Sequence, residues 1–434
     1  MNIDKKTALG AIATLLLFVS VDTLTKEVKL HKALPCEVPK PSFSDSPTQA
    51  EFDVFSWQTF IALNQSASTS TRGEPATPCK LPSVGERPVW LTYKDSQQVF
   101  LADGQDPGSW NHGYSGYGDQ KGKSPFAISQ IAKASANAAI KAHEEAVGGW
   151  LIDQMGEPTY FQMWVNETWY DYVHDNKLYD KANFAGVSSI SFPHWSMEIK
   201  SAWRKLPEDN AELAKRYITQ RAQVVIFDDA GNPIEDPKGS GQYKTEPALL
   251  GLVGFHQIVK VPGFKQWIWG TFEHIDNVPP AVYDKVAKKV VSKPEEGVEY
   301  TYFNAEANAK ETNQPPCGLS NTTKCLPFTT PNPLARYTPI YASAAELNTK
   351  FKLSLKGTVL ENYQLISTQW PSDPNNPSNP LGDPTLTPLA NTTMESYIQS
   401  SSNCVNCHST ATLPDNGIKA DYSFLFFEAH SSDK

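Results

Sequence analysis

The sequence lacks the short motifs that mark the common catalytic families. It contains no nucleophile elbow, phosphate-binding loop, zinc-protease helix motif or dinucleotide-binding glycine fingerprint. It also shows no internal repeat with a period of about 20 to 50 residues. These absences argue against serine hydrolases of the α/β type, nucleotide-dependent enzymes and solenoid proteins.

Positive charge is scarce. The chain has 38 Lys and Arg against 47 Asp and Glu, a formal net charge of -9 at pH 7, and no stripe of basic residues. Such an acidic surface repels the phosphate backbone of DNA or RNA. We therefore expect no nucleic-acid partner.

The N-terminus has the layout of an export signal. Lys5 and Lys6 precede a weakly polar run from Thr7 to Val21, as in secretory signal peptides. The run is marginal for crossing about 30 Å of hydrocarbon, so residues 1–24 are either a cleaved signal peptide or an uncleaved membrane anchor. Both alternatives predict a periplasmic or otherwise exported protein that meets the membrane only through this segment.

Six cysteines are present, and two of them belong to a motif near the C-terminus. The other four are Cys36, Cys79, Cys317 and Cys325. An even set in an oxidising compartment predicts two disulfides. Cys317 and Cys325 close a short loop, and Cys36 with Cys79 then follows by elimination. Four unpaired buried thiols are the alternative.

Hydrophobic periodicity predicts an α+β fold, with a mainly antiparallel sheet and surrounding helices. Helices are expected from Asp53, over Ser124 to Val147, and over Asn391 to Ile398. The strand candidates are Trp195–Trp203, Gln223–Phe227, Leu249–Val261, Gln266–Ile275 and Tyr363–Trp370. Because six prolines fall within 371–388, we expect an α+β body over 25–370, a linker over 371–388 and a distinct short helical tail over 389–434.

The C-terminal motif is Cys404-Val405-Asn406-Cys407-His408. Two thiols at this spacing can each form a thioether with one haem vinyl group, while the adjacent histidine faces the iron. The motif predicts one covalent haem c, with Cys404 and Cys407 as attachment residues and His408 as an axial ligand. A thioredoxin-like redox pair is the alternative, but such a pair belongs in a strand-helix-strand unit, which is not predicted here.

The second axial ligand is expected from the body or from His430, because only 26 residues follow His408 and none is Met. Alternation places His274 on one strand face with Ile268 and Phe272, and His256 on a face with Ile258. We rank His274 ahead of His256 and expect the two to share the haem pocket. Each also fits the role of a hydrogen-bonded core histidine. Lower-ranked ligands are Met197, Met394 and His194.

Three acidic residues, Glu198, Glu273 and Asp276, are candidates for acid–base groups or a second metal site near these histidines. The alternative for Glu198 is a solvent-facing position, together with Lys200, on a strand that is polar on one side.

Several segments resemble a largely uncharacterised group of exported bacterial cytochrome c-like proteins with a single C-terminal CxxCH motif. They are Phe55-Ser-Trp-Gln-Thr-Phe60, Phe255-His256, Trp267-Ile-Trp269, Phe272-Glu-His-Ile-Asp-Asn277 and Cys404-Val-Asn-Cys-His408. The resemblance implies export and haem but no particular reaction. We expect periplasmic electron transfer with a redox partner protein. The alternative is a haem enzyme, of peroxidase or oxygenase type, with an open iron position, which the large body favours.

Overall fold

The computed structural model describes most of the chain between residues 34 and 432. The described residues are 34–43, 47–83, 86–114, 150–228, 234–238, 243–264, 267–284, 289–292, 294–304, 331–370 and 387–432, with the strand backbone of 123–128. The predicted export segment 1–24, Cys317, Cys325 and most of the predicted linker lie outside this set.

One sheet of eight strands organises the unit Pro35–Lys434. Its strands are β1 (Lys94–Asp95), β2 (Lys123–Ile128), β3 (Tyr160–Val165), β4 (Met197–Leu206), β5 (Thr219–Val225), β6 (Thr245–Val259), β7 (Ile268–His274) and β10 (Tyr363–Gln369). A separate hairpin consists of β8 (Ala281–Asp284) and β9 (Lys289–Ser292). The α-helices described are α1 (Gln49–Leu63), α2 (Ser96–Val99), α3 (Glu167–Asp175), α4 (Ala211–Ala214), α5 (Ala342–Ser354) and α6 (Cys404–His408). Four short 3-10 helices cover Val89–Thr92, Lys181–Gly186, Val359–Asn362 and Leu425–Glu428.

The sheet is mainly antiparallel, which confirms the predicted α+β class. The long strand β6 pairs with β4 along one side, while β5 and then β7 share its other side. β3 extends the sheet beyond β4, and β10 extends it beyond β7. The five strands predicted from sequence are all present as β4, β5, β6, β7 and β10, with their ends shifted by a few residues.

The predicted helix from Ser124 is wrong over its first residues. Lys123–Ile128 forms an edge strand parallel to β5, and the remainder of the predicted helix lies outside the described residues. An edge strand tolerates Pro125, whose missing N–H would interrupt a central ladder. The pairing offered by β5 therefore decides the conformation of this stretch.

Helix α1 begins at Gln49, four residues before the predicted start at Asp53. The side chain of Thr48 accepts from the backbone N–H of Glu51, whose carboxylate accepts from the backbone N–H of Thr48. This capping box supplies partners for two backbone N–H groups at the helix start. The helix packs on the sheet through Phe60, which stacks on Phe272 with ring centroids 4.2 Å apart.

The opposite face of the sheet carries the C-terminal segment, residues 387–432. This segment belongs to the same unit as the sheet and does not stand apart from it. Thr392 donates to Glu273 of β7 through its backbone N–H at 2.6 Å and through its hydroxyl at 2.7 Å. Glu273 also forms a buried ion pair with Arg336. The segment is thus fixed to the sheet by buried polar contacts, which are costly to break.

The predicted helix over Asn391–Ile398 is a series of turns instead. The Asn391 side chain donates to the carbonyl oxygen of Phe272 at 2.8 Å, and the Thr392 N–H donates to Glu273. Partners on β7 thus fix Asn391 and Thr392, and the chain continues in single turns such as the one closed by the Met394 N–H on the Asn391 carbonyl oxygen at 3.2 Å. The Cys-x-x-Cys-His motif itself forms the short helix α6.

Candidate functional site

A cavity of about 650 Å³ lies between the sheet and the C-terminal segment. Its volume falls within the range of about 300–1,000 Å³ that is usual for ligand sites. Cys404, Cys407 and His408 all line it. Its other lining residues include Met163, Glu198, Lys200, His256, Ile258, Trp269, Glu395, Ile398, Phe424 and Leu425. The predicted haem motif therefore opens onto a ligand-sized space.

The floor of the cavity is one face of the sheet. His256 of β6 lies beside Lys200 of β4 and Thr271 of β7, and Ile258 lies beside Glu198 and Trp269. Directly paired residues of neighbouring strands project to the same face. The pairing accordingly brings an imidazole, an indole, an ammonium and a carboxyl group onto one surface beneath the C-terminal segment.

Helix α6 presents the motif from the opposite wall. Cys404 and Cys407 are free thiols, and residues three apart lie on one side of a helix. The Asn403 side chain caps the helix by accepting from Asn406 N–H at 3.0 Å. The Cys404 N–H donates to Gln369 of β10 at 2.9 Å. The helix is thus fastened directly to the sheet.

His408 is oriented by a backbone acceptor and by aromatic rings. Its Nδ1 donates to the carbonyl oxygen of Tyr422 at 2.7 Å. Its ring centroid lies 5.7 Å from that of Trp269 and 5.2 Å from that of Phe424. A proton on Nδ1 makes Nε2 the nitrogen suited to bind a metal, and such a hydrogen bond is the usual support of a metal-binding imidazole.

His256 is the second histidine of the cavity, and only 8 % of its surface is exposed. Its Nε2 has no hydrogen-bond partner and lies 3.6 Å from Oε2 of Glu395. Burial, reinforced by the charges of Lys200 and His408, holds the pKa of His256 well below its usual value. The imidazole is therefore neutral, the form that ligates metals. An unpartnered buried ring nitrogen is uncommon and fits a missing ligand.

Two carboxyl groups line the same cavity. Burial raises the pKa of Glu395 to about 7 and that of Glu198 to about 7. Glu395 accepts from the Asn391 N–H at 2.8 Å, and Glu198 accepts from the indole N–H of Trp169 at 2.8 Å. The alternative that placed Glu198 on a solvent face is therefore incorrect, because the C-terminal segment covers that face.

His274 lies on the other face of the sheet, which corrects its ranking ahead of His256. Its ring stacks on Tyr217 with centroids 3.9 Å apart. Nε2 donates to the Arg216 carbonyl oxygen at 2.9 Å, and Nδ1 accepts from the Asp276 N–H at 3.1 Å. Burial lowers the pKa of His274 to about 4. With both ring nitrogens engaged away from the cavity, His274 is a core histidine and cannot share the pocket with His256.

The remaining sequence candidates also lie elsewhere. Met394 is part of the hydrophobic core, Met197 is buried at the start of β4, and His194 and His430 are exposed. Glu273 anchors the C-terminal segment, and Asp276 receives two hydrogen bonds from Arg216 at 2.9 and 2.8 Å. These two acids therefore have structural partners, and neither is among the residues that line the cavity.

Sequence reasoning missed two residues that shape this site. Glu395 lies in a predicted helix with no pattern that points to His256. Tyr422 orients His408 through its carbonyl oxygen, which any residue type possesses, and its ring packs on Trp269 with centroids 5.8 Å apart. Lys200, by contrast, is two residues from Glu198 in a predicted strand, so the sequence does place the two side chains on the same face.

Other chemistries find less support at the site. Partial burial raises the pKa of the Cys404 thiol, whereas a thioredoxin-like cysteine needs a lowered pKa. Within the described ranges, no group of three or more His, Cys, Asp or Glu side chains is arranged to hold a metal ion. The structure pairs Cys36 with Cys79 in a disulfide, so the motif cysteines stay separate from that bond.

Comparison with known proteins gave no matching family model, no similar curated protein and no similar solved structure. Among the helices that the structure describes, none combines the length and the apolar composition that membrane crossing requires.

Proposed function

We propose that the chain is an exported monohaem c-type cytochrome-like protein that transfers single electrons. Cys404 and Cys407 would hold one haem c through thioethers, with His408 and His256 as its axial ligands. The single observation that carries the proposal is that the motif and a buried, unpartnered imidazole nitrogen line one cavity. When bound, the haem would supply a one-electron Fe(III)/Fe(II) couple.

The side chains of the cavity have the properties that such a group needs. Trp269 and Phe424 offer flat apolar surface beside His408, which suits an extended aromatic ring. Lys200 adds a positive charge for the haem carboxylates. The Tyr422 carbonyl oxygen fixes the orientation of the His408 imidazole. The imidazole would therefore rearrange little when the charge on the iron changes.

The cellular setting of the proposal comes from the sequence. The predicted export segment 1–24 supports a location in the periplasm or outside the cell, with the protein either released or held to the membrane by that segment. Covalent attachment keeps a haem on an exported protein that cannot exchange it with a cytoplasmic pool. The proposed partner is another redox protein.

The experiment that tests the proposal is expression with a c-type haem attachment system, followed by intact-mass measurement and visible spectroscopy. The expected result is one haem mass on the chain, resistant to acid–acetone extraction, with a low-spin spectrum in both oxidation states. The Cys404→Ala, Cys407→Ala double variant is the control and should carry no covalent haem. A wild-type chain that loses all its haem to extraction would overturn the proposal.

A haem enzyme is the second candidate, and the contact between His256 and Glu395 favours it. A neutral imidazole beside a carboxyl group whose pKa is near 7 resembles an acid–base pair poised for proton transfer. In that case His256 would stay off the iron and leave one position open to a small molecule. A high-spin ferric spectrum with ready cyanide binding would decide for the enzyme, and a low-spin spectrum indifferent to cyanide would decide for the carrier.

A further inference from the structure

We propose that the buried ion pair of Lys260 with Asp421 is a positioning device that sets the orientation and the basicity of His408. Through His408 it would tune the reduction potential of the proposed haem, so the inference rests on the function proposed above. The pair does not touch His408 itself. It acts through the adjacent residue, Tyr422, whose carbonyl oxygen accepts the His408 Nδ1 proton.

The turn that presents this carbonyl has an unusual backbone. Asp421 has φ 48° and Tyr422 has φ 70°, so two successive residues other than glycine occupy the left-handed region. Few residues with a Cβ adopt this conformation, and Tyr is not among the types that tolerate it well. Such a turn persists only where its surroundings hold it in place.

Asp421 supplies the hold. Its carboxylate pairs with the Lys260 ammonium and accepts from the Phe192 N–H at 2.7 Å. The Lys260 and Asp421 side chains are only 7 % and 9 % exposed, so the pair is shielded from water and from salt. Burial raises the pKa of Asp421, and the nearby charge of Lys260 offsets part of that rise. Loss of either partner would leave the other as an uncompensated buried charge. The turn would then have to shift so that water can reach that charge.

The same strand connects this pair to the other side of the cavity. His256, Ile258 and Lys260 alternate along β6 and its first following residue, and therefore project to one face. The Lys260 N–H donates to the Ser196 carbonyl oxygen at 3.0 Å, which continues the pairing beyond the strand end. Strand β6 and the residue after it thus carry both His256, the proposed sixth ligand, and Lys260. Lys260 holds the turn whose Tyr422 carbonyl oxygen accepts from His408.

The expected chemical effect has a definite sign. A carbonyl that accepts from Nδ1–H raises the basicity of a ligating imidazole. A more basic ligand favours the ferric over the ferrous iron and lowers the reduction potential. When the acceptor turn is released, the hydrogen bond weakens and the potential should shift upward.

The test compares Asp421→Asn and Lys260→Met with Lys260→Arg, and uses Asp153→Asn as a matched control. Asn keeps the size of Asp421 and tolerates the left-handed region. The control breaks another buried ion pair, Asp153 with Arg204 at 3.2 Å. The measurements are haem content by mass, midpoint potential, and ¹⁵N NMR of the His408 ring in the haem-free chain.

We expect Asp421→Asn and Lys260→Met to retain covalent haem, to shift the potential upward and to weaken the Nδ1–H signal of a hydrogen-bonded ring. Lys260→Arg keeps the positive charge and should leave both the potential and the Nδ1–H signal close to their wild-type values. Asp153→Asn should change neither. An unchanged potential and an unchanged Nδ1–H signal in both variants would overturn the inference. If the wild-type chain takes up no haem, the proposed function fails, while the NMR readout still decides whether the ion pair orients His408.

Discussion

Nε2 of His256 lies 3.6 Å from Oε2 of Glu395, and this contact joins the sheet to the C-terminal segment across the cavity. The carboxyl group is held in turn by the Asn391 N–H. Glu395 is therefore placed to accept a proton from Nε2 of His256 when that nitrogen carries one, and the contact gives way when Nε2 binds a metal instead.

Replacement of His256 by Ala should convert a low-spin ferric spectrum to high-spin and leave the haem attached. The reason is that the variant would remove the proposed sixth ligand and leave both proposed thioether cysteines and His408 in place. Visible and electron paramagnetic resonance spectra of purified protein measure the change. His274→Gln should keep the low-spin spectrum, because His274 lies on the opposite face of the sheet beside Tyr217. A low-spin His256→Ala protein would remove His256 from the ligand set.

Replacement of Gly254 by Ala should loosen the C-terminal segment from the sheet. A Cβ at this position would lie 2.1 Å from Oγ1 of Thr393 and 3.1 Å from Oδ1 of Asn391, which is far inside van der Waals contact. Overpacking of this kind costs about 1–3 kcal/mol. We expect a lower free energy of unfolding in urea and a reduced yield of covalent haem.

Two variants control the Gly254→Ala measurement. Gly186→Ala introduces a Cβ into open space and should leave stability nearly unchanged. Thr393→Ala in the Gly254→Ala background removes the closest atom and should recover part of the loss. If Gly254→Ala is as stable as wild type, the close approach of the segment to β6 is not present in solution.

Replacement of Asp53 by Asn should raise stability at neutral pH and flatten its pH dependence. Burial raises the pKa of Asp53 from 3.8 to about 6, so the folded state binds this proton more tightly than the unfolded state. Its contribution to stability is therefore lost as pH rises through that window. A rise in pKa from 3.8 to about 6 corresponds to roughly 3 kcal/mol. Urea unfolding at about pH 3.5 and about pH 8, on either side of this window, measures the change. An equal pH dependence in both proteins would contradict the prediction.

The motif and the strands could be predicted because their signals are local. Spacing alone singles out Cys404, Cys407 and His408, which line the cavity, and period-two alternation locates β6 and β7. The same alternation separates His274 from the Trp269 face. Which of the two faces meets the C-terminal segment depends on contacts more than a hundred residues apart in sequence, such as Thr392 with Glu273. The buried position of the C-terminal segment is therefore a tertiary property that strand alternation does not reveal. For this reason the sequence alone does not favour His256 over His274.

Two predicted helices differ from the structure where long-range partners are available. Over Lys123–Ile128 the edge of β5 provides a strand partner in place of the predicted helix start. Over Asn391–Ile398 side-chain and backbone bonds to β7 accompany single turns instead of a helix. Local propensity is a weak prior wherever a sheet offers partners for the backbone. The capping box of Thr48 and Glu51, by contrast, was a readable sequence signal for the earlier start of α1.

The alternation of β6 has a consequence for how this protein can change during evolution. Gly254, His256, Ile258 and Lys260 meet the C-terminal segment, while Phe255 and Gln257 meet α1. Deletion or insertion of a single residue before Gly254, with the ladder kept in place, would exchange the two sets. A loop absorbs a change in length at small cost. This strand does not, so it should accept substitutions far more readily than a one-residue change in length.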